Sequence, residues 1–244
     1  MSRGIFVTGT DTGVGKTLVT AGTVRWLRSR GIDAVPMKPV QTGAEMRKGE
    51  LFATDLEFSL RAGGLSADSS ELRLMSPYTY EPACSPHLAG RMASNYAQIS
   101  TIRDCADRLL KEHRAIVVEG AGGIMVPLNE NETMLDLMTD FGYPVVLVSR
   151  SGLGAINHAL LSVQALRAAG LEIAGLVFNQ SEPPMPENSF IENDNPDVIS
   201  RLGKVDILGK IGYLDMKGQP EEIWTHFERS MPGLKHLIGI LERD

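Results

Sequence analysis

Cysteine is scarce: Cys84 and Cys105 are the only two in 244 residues, too few for a disulfide scaffold and too far apart for a close-set zinc ligand pattern. A reducing compartment is the natural setting. Positive charge is also short, with 24 Lys plus Arg against 30 Asp plus Glu and a net charge of -6. Phosphate backbones are bound through clustered basic residues, so nucleic acid is not expected as a partner. Long apolar runs are missing as well. No stretch of about 18 apolar residues occurs, and Ile5-Phe6-Val7, behind Met1-Ser2-Arg3-Gly4, is too short for a signal-peptide core. The expectation is a soluble, cytoplasmic protein that does not enter a membrane. Internal repeats and low-complexity tracts are absent too.

What is present is the composition of a globular domain, 43% hydrophobic and 22% charged, far from the polar, highly charged signature of disorder. At this length a single domain over residues 1–244 is expected. Short apolar runs recur at Ile5-Phe6-Val7, Ala34-Val35-Pro36-Met37, Ala115-Ile116-Val117-Val118, Val145-Val146-Leu147-Val148 and Ile173-Ala174-Gly175-Leu176-Val177-Phe178. A strand covered on both faces has no reason to alternate with polar residues, so these read as buried strands. Between them, residues 17–30, 100–113 and 155–169 carry apolar side chains at helical spacing, as in Leu18, Ala21, Val24 and Leu27. Strand then helix, repeated, predicts an α/β fold: a mainly parallel sheet with helices on both faces. The four prolines and several Asn and Asp residues of 181–197 predict a surface loop inserted in the domain. Beyond it, Ile207 to Leu214 reads as a last edge strand, and Pro220 to Leu241 as an amphipathic closing segment.

The first strand runs into Gly9-Thr10-Asp11-Thr12-Gly13-Val14-Gly15-Lys16-Thr17 and then directly into the first helix. Strand, glycine-rich turn and helix N-terminus are the context of a phosphate-binding loop. The N–H groups of such a turn and the positive end of the helix dipole surround a polyphosphate; Lys16 reaches its β and γ oxygens, and the Thr17 hydroxyl ligates Mg²⁺. The loop is a variant: five residues separate Gly9 from Gly15, one more than in the common form, and Thr10 takes the usual first-glycine place.

Glu119 closes the run Ile116-Val117-Val118 and precedes Gly120-Ala121-Gly122-Gly123, the position at which an acid meets Mg²⁺ in phosphoryl-transfer enzymes. A carboxylate buried there needs a compensating metal or hydrogen-bonded cation, and metal ligation is preferred over a purely structural acid. Other positions are two-sided on local grounds. Lys38, in Met37-Lys38-Pro39-Val40-Gln41-Thr42-Gly43 at the end of the second strand, reads equally as a solvated lysine or as a group neutralising a transferred phosphoryl. Thr42 shares that ambiguity, and Asp55 is explained as well by capping or dipole stabilisation of a helix over 55–61.

Together these pieces resemble the dethiobiotin synthetase family of the P-loop NTPase superfamily. The likeness is carried by Val7-Thr8-Gly9-Thr10-Asp11-Thr12 with Val14-Gly15-Lys16-Thr17, by Lys38-Pro39-Val40, by Asp55, and by Ser85-Pro86-His87 after Ser76-Pro77-Tyr78. It continues through Val118-Glu119-Gly120-Ala121-Gly122-Gly123, Gly152-Leu153-Gly154-Ala155-Ile156-Asn157-His158 and Gly175-Leu176-Val177-Phe178-Asn179, so it spans most of the chain. The resemblance implies a P-loop NTPase fold and a reaction joining 7,8-diaminononanoate, CO2 and MgATP into dethiobiotin, ADP and phosphate. One amine becomes a carbamate, the carbamate oxygen attacks the γ-phosphorus to give a carbamic-phosphoric anhydride, and the second amine closes the ureido ring. Such chemistry needs positioning and charge neutralisation more than a covalent nucleophile, in keeping with a chain that shows no Ser/His/Asp triad and no reactive cysteine.

Carried over by position, the resemblance implies that Lys16 holds the β/γ-phosphates among Gly13, Val14, Gly15, Thr17 and Leu18. Lys38 is implied as the charged catalytic group between carbamate and γ-phosphate, and Thr17, Asp55 and Glu119 as the Mg²⁺ ligands. Further nucleotide contacts are implied from Gly120, Ala121 and Gly122, and adenine contacts from Asn179 and Gly212-Tyr213-Leu214. Thr12 and Thr42 are implied to meet the diamine or carbamate. Gly152, Leu153, Gly154 and Asn157 belong to a helix start whose free N–H groups suit the substrate carboxylate; in the family that helix comes from the other subunit, so a homodimer is implied.

Two positions depart from the family pattern: Gly13 stands where some members place Glu, and Gly212 replaces a proline common in the adenine loop. Two other readings share the phosphate loop. A synthetase of the cobyrinate amidase group needs a glutaminase domain with a nucleophilic cysteine, for which this chain has neither room nor motif. A ParA/MinD-like switch ATPase wants a second lysine where Thr10-Asp11 stands and often a basic tail, whereas this chain ends Gly239-Ile240-Leu241-Glu242-Arg243-Asp244. His87 and His158 are expected to be structural, since neither has a local carboxylate to orient it.

Overall fold

The computed structural model describes residues 4–183, 189–216 and 218–242. In chain order, β1 (Gly4–Gly9) leads into α1 (Lys16–Arg28), β2 (Ala34–Met37), β3 (Val40–Thr42), the hairpin of β4 (Glu45–Arg47) and β5 (Glu50–Phe52), α2 (Thr54–Ala62), α3 (Ser69–Met75) and β6 (Tyr78–Tyr80). There follow α4 (Pro86–Met92), α5 (Ile99–Glu112), β7 (Ala115–Gly123), α6 (Met134–Phe141), β8 (Val145–Ser149) and α7 (Ala155–Ala168). The chain continues through β9 (Ile173–Asn179), α8 (Ser189–Gly203), β10 (Ile207–Ile211), α9 (Pro220–Ser230) and α10 (Leu234–Leu241). One parallel sheet of six strands runs β10-β9-β8-β1-β7-β2, and the short pairs β3–β6 and β4–β5 lie outside it.

Successive side chains of a strand point to opposite faces. Ile5 and Val7 of β1 therefore enter one apolar layer with Val117, Val146 and Val177, covered by Val24 and Leu27 of α1 and by Phe227 and Leu237 of the last two helices. Phe6 enters the opposite layer with Ile116, Val118, Leu147 and Phe178, covered by Ile102 and Leu109 of α5, Leu137 of α6 and Leu166 of α7. Both faces are dry, which is why the strands read as unbroken apolar runs, and each large side chain taken from water contributes about 1.5–3 kcal/mol. Pro36 is accommodated because β2 is an edge strand, paired only with β7. All six strands run the same way, so the segments after β1, β2 and β7 emerge at one end of the sheet, and the register sets Glu119 beside Val7.

Four stretches differ from the sequence expectation. The run expected as a strand over 115–118 continues to Gly123, so Glu119 lies within β7, because residues 120–123 keep pairing with β1 as far as Gly9. Residues 189–197, within the stretch expected to be a surface loop, form the first part of α8, with Pro196 inside the helix. Asn195 is buried there and donates to the carbonyls of Ser151 and Gly152 at 2.6 and 3.0 Å, a tertiary anchor that composition does not reveal; residues 184–188 of the same stretch lie outside the described residues. The edge strand ends at Ile211 rather than Leu214. The closing segment is two helices, broken where the Gly233 N–H donates to the Leu208 carbonyl at 2.8 Å.

The chain after β7 is tied down by a capping box at the start of α6: the Asp136 carboxylate accepts the Thr133 N–H at 2.7 Å, and Thr133 Oγ1 accepts the Asp136 N–H at 3.4 Å. Hydrogen bonds from the Thr133 side chain and then its backbone hold the Asp136 pKa below its ordinary 3.8. A depressed carboxylate contributes stability above its unfolded pKa and loses it as pH falls through the folded one. Asp136→Ala is thus expected to cost roughly 0.5–1 kcal/mol at pH 7. Its gap from wild type narrows as pH falls below about 4, as read by urea unfolding at both pH values.

Candidate active site

The loop after β1 turns through Gly13 and Gly15, at φ 75° and 101°, a region open to glycine. Gly15 precedes α1 and offers no side-chain acceptor, so the first N–H groups of the helix are left for an anion. From outside, Asn179 at the end of β9 donates to the Val14 carbonyl at 3.0 Å, and Ser181 donates to the Gly13 carbonyl at 3.0 Å. Asp11 is held by the Thr12 N–H at 2.7 Å and by Arg150 at 2.9 Å, and its carbonyl accepts the Lys16 ammonium at 2.8 Å.

Deeper in, four side chains converge. Lys38 Nζ lies 2.6 Å from Glu119 Oε1 and 2.9 Å from Asp55 Oδ2. Thr17 Oγ1 donates to the same Glu119 oxygen at 2.8 Å, and the Gly120 carbonyl stands 3.4 Å from the ammonium. Lys38 is 5% exposed and Glu119 2%. The cation expected to compensate Glu119 is therefore supplied within the chain, by Lys38. Gln41 positions the third member: it accepts the Asp55 N–H at 3.2 Å and donates to Asp55 Oδ2 at 3.4 Å.

Burial, followed by the charge of Lys38, lowers the Lys16 pKa to about 8 against the pull of Glu119, Asp55 and Asp11. Burial works the same way on Lys38, but Glu119 and Asp55 outweigh it, and the Lys38 pKa is raised. Burial also raises Glu119, with Lys38 opposing. Such a pair is costly to break, because removing one partner strands the other charge at about 3–5 kcal/mol.

Lys16, Thr17, Lys38, Asp55 and Glu119 line a cavity of about 360 Å³ together with Thr12, Gly13, Gly15, Thr42, Ala121 and Gly122. A second cavity, also about 360 Å³, adjoins it across Thr12 and Gly13 and is lined by Val14, Arg150, Gly152 and Asn179. Leu18 packs at the edge of the core, and Gly212, Tyr213 and Leu214 follow β10 and line neither cavity. Leu153, Gly154 and Asn157 are exposed, Leu153 at 86%. A larger cavity of about 650 Å³ lies between the β4–β5 hairpin, α2 and α3. Its walls are mainly apolar, with Leu51, Phe52, Leu56, Leu60 and Leu65, and the converging charged groups are elsewhere. His87 Nδ1 pairs with Ser85 Oγ at 3.0 Å, and His158 is exposed on α7; neither lines the site.

Thr17, Asp55 and Glu119 offer a hydroxyl and two carboxylates, hard oxygens of the kind that hold Mg²⁺ jointly with phosphate and water. Among the described residues no group of three or more His, Cys, Asp or Glu side chains could hold a metal ion by itself. The donor set fits a Mg²⁺ that is shared with a polyphosphate. Gln41 and the Arg150–Asp11 pair escaped the sequence reading. Gln41 lies between Val40 and Thr42 in the short strand β3, where its partner Asp55 is 14 residues on, and Arg150 is 139 residues from its partner; neither carries a local signal.

A family profile described as an AAA domain matches residues 3–221. The ATP-dependent dethiobiotin synthetase BioD of Anaeromyxobacter sp. (strain Fw109-5) is 42% identical over 190 residues, covering 76% of this chain and 82% of that protein. The enzyme of the same name from Thermodesulfovibrio yellowstonii is 37% identical over 225 residues, covering 88% of this chain and 90% of its own. Among solved structures, the cell division ATPase MinD of Pyrococcus furiosus superposes with a TM-score of 0.60 at 18% identity, over 99% of this chain and 98% of its own. That likeness speaks for the P-loop fold alone. At 37–44% identity over most of both lengths, the chain belongs to the ATP-dependent dethiobiotin synthetase family.

Proposed function

We propose that this chain uses MgATP to join CO2 to 7,8-diaminononanoate and close the ureido ring of dethiobiotin, releasing ADP and phosphate. The observation that carries the reading is the placement of Lys38, Asp55, Glu119 and Thr17 in the same cavity as the Lys16 loop. The loop N–H groups and Lys16 bind the β- and γ-phosphates, with Lys16 exchanging the Asp11 carbonyl for phosphate oxygens. Mg²⁺, held by Thr17, Asp55 and Glu119, supplies neutralisation of the phosphate charge. Thr12 and Thr42 orient the amine and its carbamate, and Lys38 stabilises charge where the carbamate oxygen meets the γ-phosphorus. The second amine then attacks the carbonyl carbon of the mixed anhydride, and phosphate leaves.

Asn179 and Ile211 are register partners on adjacent parallel strands, so Asn179 and Gly212-Tyr213-Leu214 leave the sheet at the same end, which supports their place around the adenine. The start of α7 has Gly154 before it and no side-chain cap, and Leu153 beside it is 86% exposed. These features support a homodimer in which this helix start meets the substrate carboxylate of the other subunit. Among the described residues no helix is long and apolar enough to cross a membrane.

Supplying ¹³C-bicarbonate tests the reaction: dethiobiotin one mass unit heavier is expected, and absence of labelled ring product from an ATP-consuming enzyme contradicts it. Lys16→Ala is expected to weaken ADP binding by roughly 10–100-fold, the loss of a charge-assisted phosphate contact, and to lower turnover with it. Calorimetric titration of ADP checks the first part and product formation the second.

A further inference from the structure

The seat assigned to the metal already holds a cation of the chain's own. Glu119 Oε1 receives the Lys38 ammonium at 2.6 Å and the Thr17 hydroxyl at 2.8 Å, and Asp55 Oδ2 faces the same ammonium at 2.9 Å. We propose that Lys38 is a placeholder in the divalent-cation seat, that ammonium and metal exclude one another there, and that giving up the seat is what delivers Lys38 to the reacting phosphoryl group. The inference rests on Thr17, Asp55 and Glu119 being the metal ligands.

Glu119 is buried and Asp55, half-buried, faces the same point, so a positive charge is required between them. Two cations in contact with the same two oxygens repel each other, so only one occupies the seat at a time. Of the two lysines lining the cavity, Lys16 is engaged elsewhere, on the Asp11 carbonyl at 2.8 Å; Lys38 fills the seat. Its main chain is fixed, because its N–H donates to the Met75 carbonyl at 2.8 Å and Pro39 follows it. Departure from the acids is accordingly a rotation of the flexible four-carbon stem, which lysine permits and the rigid fork of arginine does not. The cavity that Lys38 lines is continuous with the Gly15-Lys16 turn, so once the carboxylates are taken, phosphate oxygens of a bound nucleotide join the Gly120 carbonyl as acceptors open to it, and they alone carry the charge to draw it. Metal entry and lysine delivery become one event: the acids are compensated throughout, and Lys38 leaves them when phosphate offers a new partner.

The test uses Mn²⁺ as the probe, titrated without nucleotide and followed by the paramagnetic resonance of the free ion. Lys38→Met leaves the two carboxylates without their ammonium. It is expected to bind Mn²⁺ roughly 10–1,000-fold tighter than wild type, the range over which a neighbouring unit charge shifts a carboxylate's proton affinity. Adding Glu119→Gln to Lys38→Met is expected to abolish the gain, placing the ion in this seat. Affinity equal to or weaker than wild type in Lys38→Met overturns the placeholder while leaving the metal site standing. Failure of wild type to bind Mn²⁺ even with ADP overturns the metal reading and the placeholder with it. Should Lys38→Met not fold, the wild-type protein with ¹³C-labelled lysine ε-carbons decides: Mg²⁺ added to the ADP complex is expected to move the Lys38 resonance, and a resonance that stays in place overturns the proposal.

Discussion

Replacing Lys38 with alanine is expected to lower dethiobiotin formation by on the order of 10²–10³-fold or more, while ADP affinity changes by less than about tenfold. The asymmetry follows from the geometry. The Lys38 ammonium makes its ion pairs and hydrogen bonds with Glu119, Asp55 and the Gly120 carbonyl, and Lys16 remains for the proposed phosphate contact. The same substitution strands two carboxylates. A fully buried pair broken this way costs about 3–5 kcal/mol, and the 32% exposure of the Asp55 side chain screens part of that loss. Thermal unfolding is therefore expected to begin lower in Lys38→Ala, so turnover is compared below its transition. Single-turnover product analysis and ADP titration on the same preparation separate the two effects, and wild-type turnover would remove Lys38 from the mechanism.

Gly15→Ala is expected to be the most damaging change in the phosphate loop. Gly15 sits at φ 101°, where any side chain is strained, and an added Cβ would run into the Asn179 amide. That amide has little room to retreat: Asn179 is buried and its Nδ2 is committed to the Val14 carbonyl and Ser181 Oγ at 3.0 and 3.1 Å. Strain and overpacking together are expected to cost about 2–4 kcal/mol, with loss of measurable ADP binding. Gly13→Ala is the control. Its φ of 75° carries strain, but an added Cβ meets nothing within 4 Å, so about 1 kcal/mol is expected. Urea unfolding and ADP titration of both variants check the contrast, and equal effects at the two glycines would show that Asn179 does not buttress the turn.

The sheet was legible in the sequence because its strands are buried on both faces, which leaves runs such as Val145-Val146-Leu147-Val148 with no polar residue to confuse their boundaries. The start of α8 was not, because prolines and asparagines hide a helix whose anchor, Asn195 on the Ser151 and Gly152 carbonyls, spans more than 40 residues of chain. The site shows the same division. Glycine spacing and a strand-to-helix context revealed the phosphate loop from local sequence. The need to compensate Glu119 is also readable from burial alone, but its partner Lys38 is 81 residues away and on local grounds reads equally as solvated or functional. Asp55 does not cap α2, whose N-cap is Ala53; it stands in the first turn, where the helix dipole favours an acid, and it faces the Lys38 ammonium. Gln41 acts through Asp55, a role that only the folded chain displays.

The most direct measurement is ADP release by the purified protein with Mg²⁺ATP, with and without 7,8-diaminononanoate and bicarbonate, while dethiobiotin is followed by mass spectrometry. The expected result is ring product formed in step with ADP, with both dependent on the diamine and on Mg²⁺. ADP release that is indifferent to the diamine, with no ring product, would contradict the assignment of this site to ureido ring closure.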